Sequence, residues 1–332
     1  MIQLNDNLID LFNKSGPYYS SYPTLNNWKT TSETEPFNYI DELKKYFIDH
    51  PNEPIYIYLH IPYCAKLCYY CACNIHISNN RDRINVFVKA LIKEIESYNI
   101  FFKSNNINPN IQEIHLGGGT PSHLTTDELT EIINSLSKFT DIKKLKEFAM
   151  EIDPRTVNEK DFDIYSKLGI DRISFGVQDF DSNVQEKINR VQPFELVKKL
   201  MNSHLKKKFK GVNFDLLYGL PSQSLETFKK TVNLTNELKP ERITLIKYAH
   251  IPSRRKHMKM IKFEDLPDQK ILPEMFVNST KFLLENDYEW VGIDHFALKN
   301  DELAIAKKNR NVKRNFGGET PGFSNDILGM GP

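Results

Sequence analysis

Every cysteine of the chain falls within a stretch of ten residues, in the pattern Cys64-x3-Cys68-x2-Cys71-x-Cys73. A disulfide framework would spread its cysteines so that the bridges close long loops. Four thiols packed into one segment of an otherwise cysteine-free chain indicate a metal site. Three thiolates on one short loop can hold three corners of an iron–sulfur cubane and leave one iron open. The spacing therefore favours a [4Fe–4S] cluster on Cys64, Cys68 and Cys71.

Structural zinc is the alternative interpretation of the same segment. Zinc usually takes two pairs of ligands from separated parts of a chain, and these close a tetrahedral site. Here there is no second cysteine pair, and His60 and His76 are the only histidines nearby. The spacing alone thus favours iron–sulfur, with zinc left open.

The charge balance excludes some classes of partner. With 44 basic and 43 acidic side chains, the net charge is +1, which gives no argument for nucleic acid or an anionic membrane. The basic stretches Lys206–Lys208 and Arg254–Lys256 are interpreted as solvated faces. No apolar run approaches the ~20 residues of a membrane span, and residues 1–6 show no start of a secretion signal. We therefore expect a soluble cytoplasmic protein without membrane insertion.

Short apolar runs alternate with segments of helical period through the middle of the chain. The strand-like runs are Ile55–Leu59, Glu113–Leu116, Glu147–Ile152, Arg172–Phe175, Val212–Leu217 and Arg242–Lys247. The helix-like segments are Arg83–Phe102, Thr126–Lys138, Glu159–Lys167, Phe194–Lys208 and Glu226–Glu237. Strands separated by helices predict a parallel α/β sheet. Because six such units are fewer than the eight of a closed barrel, we expect an open, partial (β/α)6 barrel.

The unusual residues follow the predicted strands, in the clusters HIPYC, GGGTP, EIDPR, GVQDF, YGLP and YAHIP. In parallel α/β folds the carboxyl edge of the sheet is where ligands bind. We expect an N-terminal extension over residues 1–50, the barrel over 51–260 and a post-barrel segment over 261–332. That last segment should contain a helix near Leu272–Leu284, a strand at Trp290–Ile293 and a glycine-rich tail.

Two of these clusters carry a resemblance to a known superfamily. The loop Cys64–Cys71, with the aromatic Tyr70 before the third cysteine, resembles the defining motif of radical S-adenosylmethionine proteins. The segment Gly117–Pro121 resembles the glycine-rich segment that contacts the cofactor's amino group there. Alone, a glycine-rich turn is typical of any tight strand-to-helix connection. The resemblance implies that an electron from the cluster cleaves S-adenosylmethionine to methionine and a 5′-deoxyadenosyl radical.

Within that superfamily the chain resembles the oxygen-independent coproporphyrinogen III oxidase family from about Gly16 to Gly331. The distinctive segments are Tyr58–Cys64, Cys71–Asn74, Glu151–Arg155, Gly176–Phe180, Asn189–Arg190, Asp215–Pro221, Tyr248–His250, Gly292–Phe296 and Arg314–Phe316. The resemblance implies oxidative decarboxylation of coproporphyrinogen III to protoporphyrinogen IX in haem synthesis. It also implies two bound S-adenosylmethionine molecules, an unidentified electron donor and a monomer.

Carried over by position, S-adenosylmethionine-binding roles fall on a set of residues near the strand ends. They are Tyr58, Tyr70, Gly118, Gly119, Thr120, Glu151, Gln178, Arg190, Asp215 and Ala249. Each has a structural alternative. Glu151 and Asp215 could cap the following helices, Tyr58 could be a core aromatic, and Gln178 and Arg190 could be surface polar residues.

The substrate side is less marked. Asp294 and His295 are candidates to face the substrate, although a histidine at a strand end is often a hydrogen-bonded core residue. Cys73 is not needed to hold a cluster that leaves one iron for the cofactor. The related haem-chaperone-like proteins usually lack a cysteine at this position, so Cys73 favours the oxidase.

The chain departs from the family pattern in two places. The segment Gly317-Gly318-Glu319 stands where the family typically has Gln-Gly-Tyr. The family also continues for over one hundred residues past the Gly-Met-Gly motif, whereas this sequence ends at Pro332. We therefore expect the helical C-terminal domain to be largely absent. Two alternatives to an active oxidase remain open: a haem-binding protein with the same fold, and a remnant without turnover.

Overall fold

A computed structural model of the protein describes residues 38–201, 205, 208–315 and 317–332. Most of the expected N-terminal extension, 1–37, therefore lies outside the described residues. So do Phe316, and residues 202–204 and 206–207 of the predicted helix at Phe194–Lys208.

The barrel elements alternate between strand and helix, and six of the strands are those predicted. In chain order the elements are α1 Tyr39–Asp49, β1 Ile55–Ile61, β2 Tyr63–Cys64, β3 His76–Ile77, α2 Arg81–Ser104, β4 Ile111–Gly118, α3 Thr126–Leu136, β5 Glu147–Ile152, α4 Glu159–Lys167, β6 Arg172–Gln178, α5 Ser182–Lys187, α6 Phe194–Leu200, β7 Gly211–Tyr218, α7 Leu225–Leu238 and β8 Arg242–Lys247. The predicted strands are confirmed, with β1, β4, β6 and β7 extended at their ends. The short helix α5 was not predicted.

Further elements follow the barrel. They are α8 Leu272–Glu285, β9 Tyr288–Gly292, β10 His295–Leu298, α9 Glu302–Lys308, β11 Lys313–Asn315, β12 Gly318–Thr320 and β13 Asp326–Met330. The predicted helix and strand correspond to α8 and β9. Within the glycine-rich tail, Asp326–Met330 forms a strand that was not predicted, and it pairs in parallel with β1 from Ile55↔Asp326 to Leu59↔Met330.

One sheet of nine strands, in the order β13-β1-β4-β5-β6-β7-β8-β10-β9, contains the whole barrel. The six strands from β1 to β8 in that order are all parallel. β13 extends the sheet in parallel beside β1, and β10 runs antiparallel to β8 at the other side. The structure thus confirms an α/β partial barrel of six βα units, and it adds edge strands from the post-barrel segment.

Alternation along the strands separates the core from the barrel interior. In β1, Ile57 and Leu59 are fully buried in the apolar core. In β4 the apolar residues Ile114 and Leu116 belong to that core, whereas His115 between them lines a cavity inside the barrel. The same two-residue period therefore builds the core and directs polar side chains into the barrel.

A buried ionic network closes the amino end of the barrel. Arg172, the first residue of β6, donates to Glu147 at 2.8 Å and to Asp301 at 3.2 Å. Arg242, the first residue of β8, donates to Asp301 at 2.8 Å and to Glu147 at 3.3 Å. Burial opposes the charge on Glu147, but Arg242 and Arg172 outweigh it and lower its pKa to about 2. The network ties β5, β6 and β8 to the start of α9.

Candidate functional site

The cysteine loop connects β1 to α2 at the carboxyl end of the barrel. β2 and β3 pair in parallel across the base of this loop, with Tyr63 opposite His76. The amide of His76 donates to the Pro62 carbonyl at 2.7 Å, and the amide of Ser78 donates to the Cys64 carbonyl at 3.1 Å. The segment with the four cysteines is therefore a closed loop with a fixed base.

Neighbouring loops hold the cysteine loop from outside. The Tyr69 amide donates to the Ile188 carbonyl at 3.0 Å, and the Asn189 side chain donates to the Leu67 carbonyl at 2.8 Å. His257 Nε2 lies 2.7 Å from the Cys71 carbonyl oxygen. These contacts come from the segments after α5 and β8, so the position of the thiols is set by two other units of the barrel.

Cys64, Cys68 and Cys71 all line one cavity of about 1270 Å³ inside the barrel. The Thr120 hydroxyl donates to Cys64 Sγ at 3.2 Å, and Arg190 Nη1 lies 3.6 Å from Cys68 Sγ. Among the described residues, no three His, Cys, Asp or Glu side chains are grouped so as to hold a single metal ion. The donor set is therefore three thiols around a shared cavity beside a hydroxyl and a guanidinium.

The thiols differ in acidity. A hydrogen bond from the Cys73 thiol lowers the pKa of Cys71 to about 7, while burial raises the pKa of Cys64 to about 11. Cys73 is exposed and also lines the cavity. Because a hydrogen bond to a thiolate favours its charged form, the Cys73 thiol makes Cys71 a better anionic ligand.

The glycine-rich segment packs too closely on the cysteine side of the barrel for any side chain. Gly118 has φ +110°, and a Cβ there would come within 2.6 Å of the His60 imidazole. At Gly119 a Cβ would lie 2.7 Å from the Pro62 backbone. The Gly119 amide donates a hydrogen bond to the neighbouring Ile61 carbonyl, which holds the two segments together. Glycine is required at both positions because backbone and imidazole occupy the space.

Glu151, in β5, projects into the cavity and is held by β4. One carboxylate oxygen accepts from the Gly118 amide at 3.2 Å, and the other lies 3.1 Å from His115 Nε2. The His115 ring stacks on Tyr58 with centroids 5.9 Å apart. Burial opposes protonation of His115, but the Glu151 carboxylate outweighs it and raises the pKa. Glu151 is therefore a fixed hydrogen-bond acceptor on the cavity wall.

A cationic corner lies next to Cys68. Arg190 donates to the Gly176 carbonyl at 2.7 Å and to Asp153 at 3.0 Å, and Arg155 donates to Asp153 at 2.6 Å. Burial opposes the charge on Asp153, but these guanidinium groups lower its pKa to about 2. Two guanidiniums share one carboxylate, so this corner keeps a net positive charge that suits an anionic ligand.

The remaining predicted residues sit on the same cavity, with two exceptions. Lining it are Tyr70, Gly118, Gly119, Thr120, Glu151, Gln178, Arg190, Asp215, Ala249 and His295, together with the cysteines. Tyr58 and Asp294 stand behind the wall: Tyr58 stacks on His115, and Asp294 Oδ1 lies 2.7 Å from His295 Nδ1. Burial raises the pKa of Asp215, which accepts from Ser174 and Asn213.

Known proteins with similar sequences and structures indicate the family to which this site belongs. The family model for the Radical SAM superfamily matches residues 58–235. The oxygen-independent coproporphyrinogen III oxidase of Pseudomonas aeruginosa is 34% identical over 99% of this chain and 71% of its own length. That of Escherichia coli is 34% identical over 98% of this chain and 69% of its own length.

This chain belongs to the oxygen-independent coproporphyrinogen III oxidase family.

The solved structure of the Escherichia coli coproporphyrinogen III oxidase, described as a radical SAM enzyme, superposes with a TM-score of 0.88 at 32% identity. The match covers 99% of this chain and 72% of that one. The resemblance drawn from the motifs is thereby confirmed. The relatives are longer than this chain, and about 30% of their length has no counterpart in its 332 residues.

The cofactors of this family are a [4Fe–4S] cluster and S-adenosylmethionine, and the residues present fit both. Three thiols line one cavity, one hydrogen-bonded by Thr120 and one beside Arg190, and sulfur is the donor that iron–sulfur clusters take from proteins. A cofactor with amino, carboxylate and ribose groups finds Glu151, the Arg190 corner and Asp215 within the same cavity. Among the described residues no helix is long and apolar enough to cross a membrane.

Sequence reasoning missed three side chains that organise the site. His115 holds Glu151, Asp153 joins the two arginines, and His257 contacts the cysteine loop. The strand alternation could have identified His115, because it lies on the same face of β4 as Gly117 and the other face of that strand is apolar. Nothing local marks His257, because its contact joins residues 186 positions apart.

Proposed function

We propose that this chain catalyses the oxidative decarboxylation of coproporphyrinogen III to protoporphyrinogen IX, which converts two propionate side chains into vinyl groups. The observation that carries the proposal is one cavity of about 1270 Å³ that joins the three-thiol loop to the polar ends of the parallel strands. Membership of the oxidase family gives the substrate class. The volume of this cavity leaves room for a substrate beside the cofactor.

Cys64, Cys68 and Cys71 would hold the cluster. When bound, the cluster and S-adenosylmethionine supply a reducing electron and a 5′-deoxyadenosyl radical that removes a hydrogen atom from the propionate β-carbon. Loss of carbon dioxide and of one electron to an acceptor then completes each vinyl group.

The chain's own residues would bind and orient S-adenosylmethionine. Glu151 presents a carboxylate fixed by Gly118 and His115, which suits the cofactor's ammonium group or ribose hydroxyls. The positive corner at Arg190 suits its carboxylate. The further positions Tyr58, Tyr70, Gly119, Thr120, Gln178, Asp215 and Ala249 are proposed from their match to the family. A second S-adenosylmethionine in the same cavity belongs to this proposal.

Asp294 and His295 are proposed for the substrate side. Asp294 is buried and fixes Nδ1 of His295, which leaves Nε2 of a cavity-lining imidazole available beside Gly318. A positioned imidazole can donate a hydrogen bond to a substrate carboxylate. We also propose residues 51–260 as the catalytic barrel, with 1–50 as an extension and 261–332 as a post-barrel segment.

An anaerobic assay with reconstituted protein, dithionite, S-adenosylmethionine and coproporphyrinogen III tests the proposal. Protoporphyrinogen IX with matching 5′-deoxyadenosine supports it, and the Cys68→Ser variant should give neither product. Deoxyadenosine without a porphyrin product would contradict the substrate assignment while keeping the cofactor site. Neither product from protein that carries its cluster would favour a haem-binding protein or a remnant without turnover.

A further inference from the structure

The segment after β8 forms a compact loop that packs directly against the cysteine loop. Its buried residues Met258 and Ile261 belong to a small apolar cluster against which Tyr69 and Tyr70 of the cysteine loop also pack. Met258 is fully buried and Ile261 is 4% exposed. The loop and the cysteine segment therefore share one packed base.

Polar contacts reinforce this coupling. His257 Nε2 is 2.7 Å from the Cys71 carbonyl oxygen. At the far end of the loop, Asp265 accepts from Lys187 at 2.9 Å, and its carbonyl accepts from the Ser222 amide at 2.7 Å. The loop is thus held at its far end, and its middle lies next to the third cluster ligand of the proposed site.

The outer side of this loop combines exposed apolar and basic side chains. Phe263 is 80% exposed and Met260 is 61% exposed, although both are large and apolar. Between and beside them the exposed lysines Lys256, Lys259 and Lys262 form no ion pair with a carboxylate of the described chain. We call Lys256, Lys259, Met260, Lys262 and Phe263 the basic loop surface.

The local charge is strongly positive even after its acids are counted. Asp265 is neutralised by Lys187, which leaves Glu264 as the exposed carboxylate of the segment against three lysines. The chain as a whole carries a net charge of only +1. Two exposed apolar side chains, Met260 and Phe263, flanked by lysines that have no ion pair in the described chain, are typical of a protein interface. The positive charge would steer an acidic partner towards it.

We propose that the basic loop surface docks an acidic one-electron carrier protein that reduces the cluster. The inference rests on the proposed function only in requiring a cluster at Cys64, Cys68 and Cys71. The carrier gives up one electron, and the oxidised cluster accepts it. A carrier with a flavin hydroquinone is thereby converted to the semiquinone and releases a proton. The surface suits this role because it is the exposed side of a loop that contacts the Cys71 backbone.

The test uses reconstituted protein and a flavodoxin in its hydroquinone form as the probe. The double variant Lys256→Glu/Lys259→Glu should slow cluster reduction by the flavodoxin at least tenfold at low ionic strength. Its reduction by dithionite, a small reductant that needs no docking, should be unchanged. The matched control is Lys229→Glu/Lys230→Glu, an equal charge change on exposed lysines of α7, which should leave both rates as in the unaltered protein.

A second readout is independent of the loaded enzyme. Oxidised flavodoxin should bind the cluster-free chain with an affinity that falls with salt, and Phe263→Ser and the Lys256→Glu/Lys259→Glu variant should each weaken it. Equal flavodoxin rates in the double variant and the control would overturn the proposal. A double variant that instead weakens self-association in sedimentation velocity, with reduction unchanged, would mean that the surface joins two copies of the chain and would also overturn it. Failure to assemble a cluster would contradict the proposed function and leave the binding readout to decide.

Discussion

The two ends of the barrel use charged side chains in opposite ways. At the amino end, Arg172 and Asp301 are almost fully buried, with side chains 5% and 3% exposed, and each has charged partners. At the carboxyl end, the Glu151 side chain is 41% exposed and lines the cavity, although His115 and Gly118 hold its carboxylate. The first arrangement satisfies its charges internally, and the second keeps an acceptor open for a ligand.

Acidity follows the same division. Arg172 and Arg242 lower the pKa of Glu147 to about 2 at the amino end, whereas burial raises the pKa of Asp215 nearer the carboxyl end. In parallel barrels the amino end contributes stability and the carboxyl end carries the chemistry. The role of a charged residue in this barrel therefore follows from its position along the strand, and mutations at the two ends should affect stability and activity separately.

The largest effect is expected at the cysteine loop. Replacing Cys64, Cys68 or Cys71 with Ser should abolish cluster assembly, because each would remove one of three protein ligands. Iron and sulfide content after anaerobic reconstitution measures this. Cys73→Ser is the matched control and should keep its iron; equal loss in Cys73→Ser would mean a four-cysteine site.

At the amino end the expected effect is on stability. Glu147→Gln leaves two buried guanidiniums short of a partner and should lower the free energy of unfolding by about 3–5 kcal/mol. Denaturant unfolding measures the change. Glu302→Gln, whose carboxylate is 46% exposed and 3.6 Å from Arg172, should cost under about 1 kcal/mol. Equal costs for the two variants would break the contrast between the ends.

The glycine segment should respond to the smallest possible side chain. Gly118→Ala places a Cβ against His60 at φ +110° and should cost about 1–3 kcal/mol of stability. It should also reduce 5′-deoxyadenosine formation more than tenfold, since the Gly118 amide would leave Glu151. Gly329→Ala, with nothing within 4 Å, serves as control. Unchanged activity in Gly118→Ala would contradict the close packing.

A smaller effect, on cofactor binding, is expected from replacing His115, which holds the Glu151 carboxylate. His115→Gln shortens the side chain that holds the carboxylate and should raise the KM for S-adenosylmethionine about tenfold, equivalent to about 1.4 kcal/mol. Stability should change little. Steady-state kinetics of deoxyadenosine formation provide the measurement. A fall in kcat alone, with KM unchanged, would argue against a positioning role for His115.

A further effect on stability is expected in acid. Glu147 has a folded pKa of about 2 against an ordinary value of 4.5, so its charge stabilises the fold above pH 4.5. This contribution is lost as the pH falls from 4.5 towards 2. Unfolding free energies between pH 6 and pH 3 should fall less steeply in Glu147→Gln than in the unaltered chain. Parallel slopes would show that Glu147 is not the titrating group.

Much of the barrel could be predicted because its signals are local. Two-residue alternation and the clusters after each strand gave six strands, and the cysteine spacing gave the metal loop. The edge strand β13 was missed, since Gly329 and Asp326 weaken its pattern and its pairing partner lies about 270 residues away. The amino-end network was missed for the same reason, because no local pattern pairs Arg172 and Arg242 with Asp301.

The post-barrel departures illustrate a further limit. The change from a typical Gln-Gly-Tyr to Gly317-Gly318-Glu319 was visible in the sequence, but its consequence was not. In the structure Glu319 accepts from Arg314 at 2.7 Å and lines the cavity, while Gly318 packs on His295. The first contact joins opposed residues within the β11–β12 hairpin, whereas the second requires that hairpin to pack against His295 of β10, which a sequence pattern does not encode.

The most direct test of the central claim is 5′-deoxyadenosine formation by the reconstituted chain with dithionite and S-adenosylmethionine alone. The carboxyl end is predicted to bind both cofactors, so the unaltered protein and Glu302→Gln should form deoxyadenosine and Cys68→Ser should not. Absence of deoxyadenosine from unaltered protein that carries about four irons per chain would contradict the assignment of the carboxyl end as a radical-generating site.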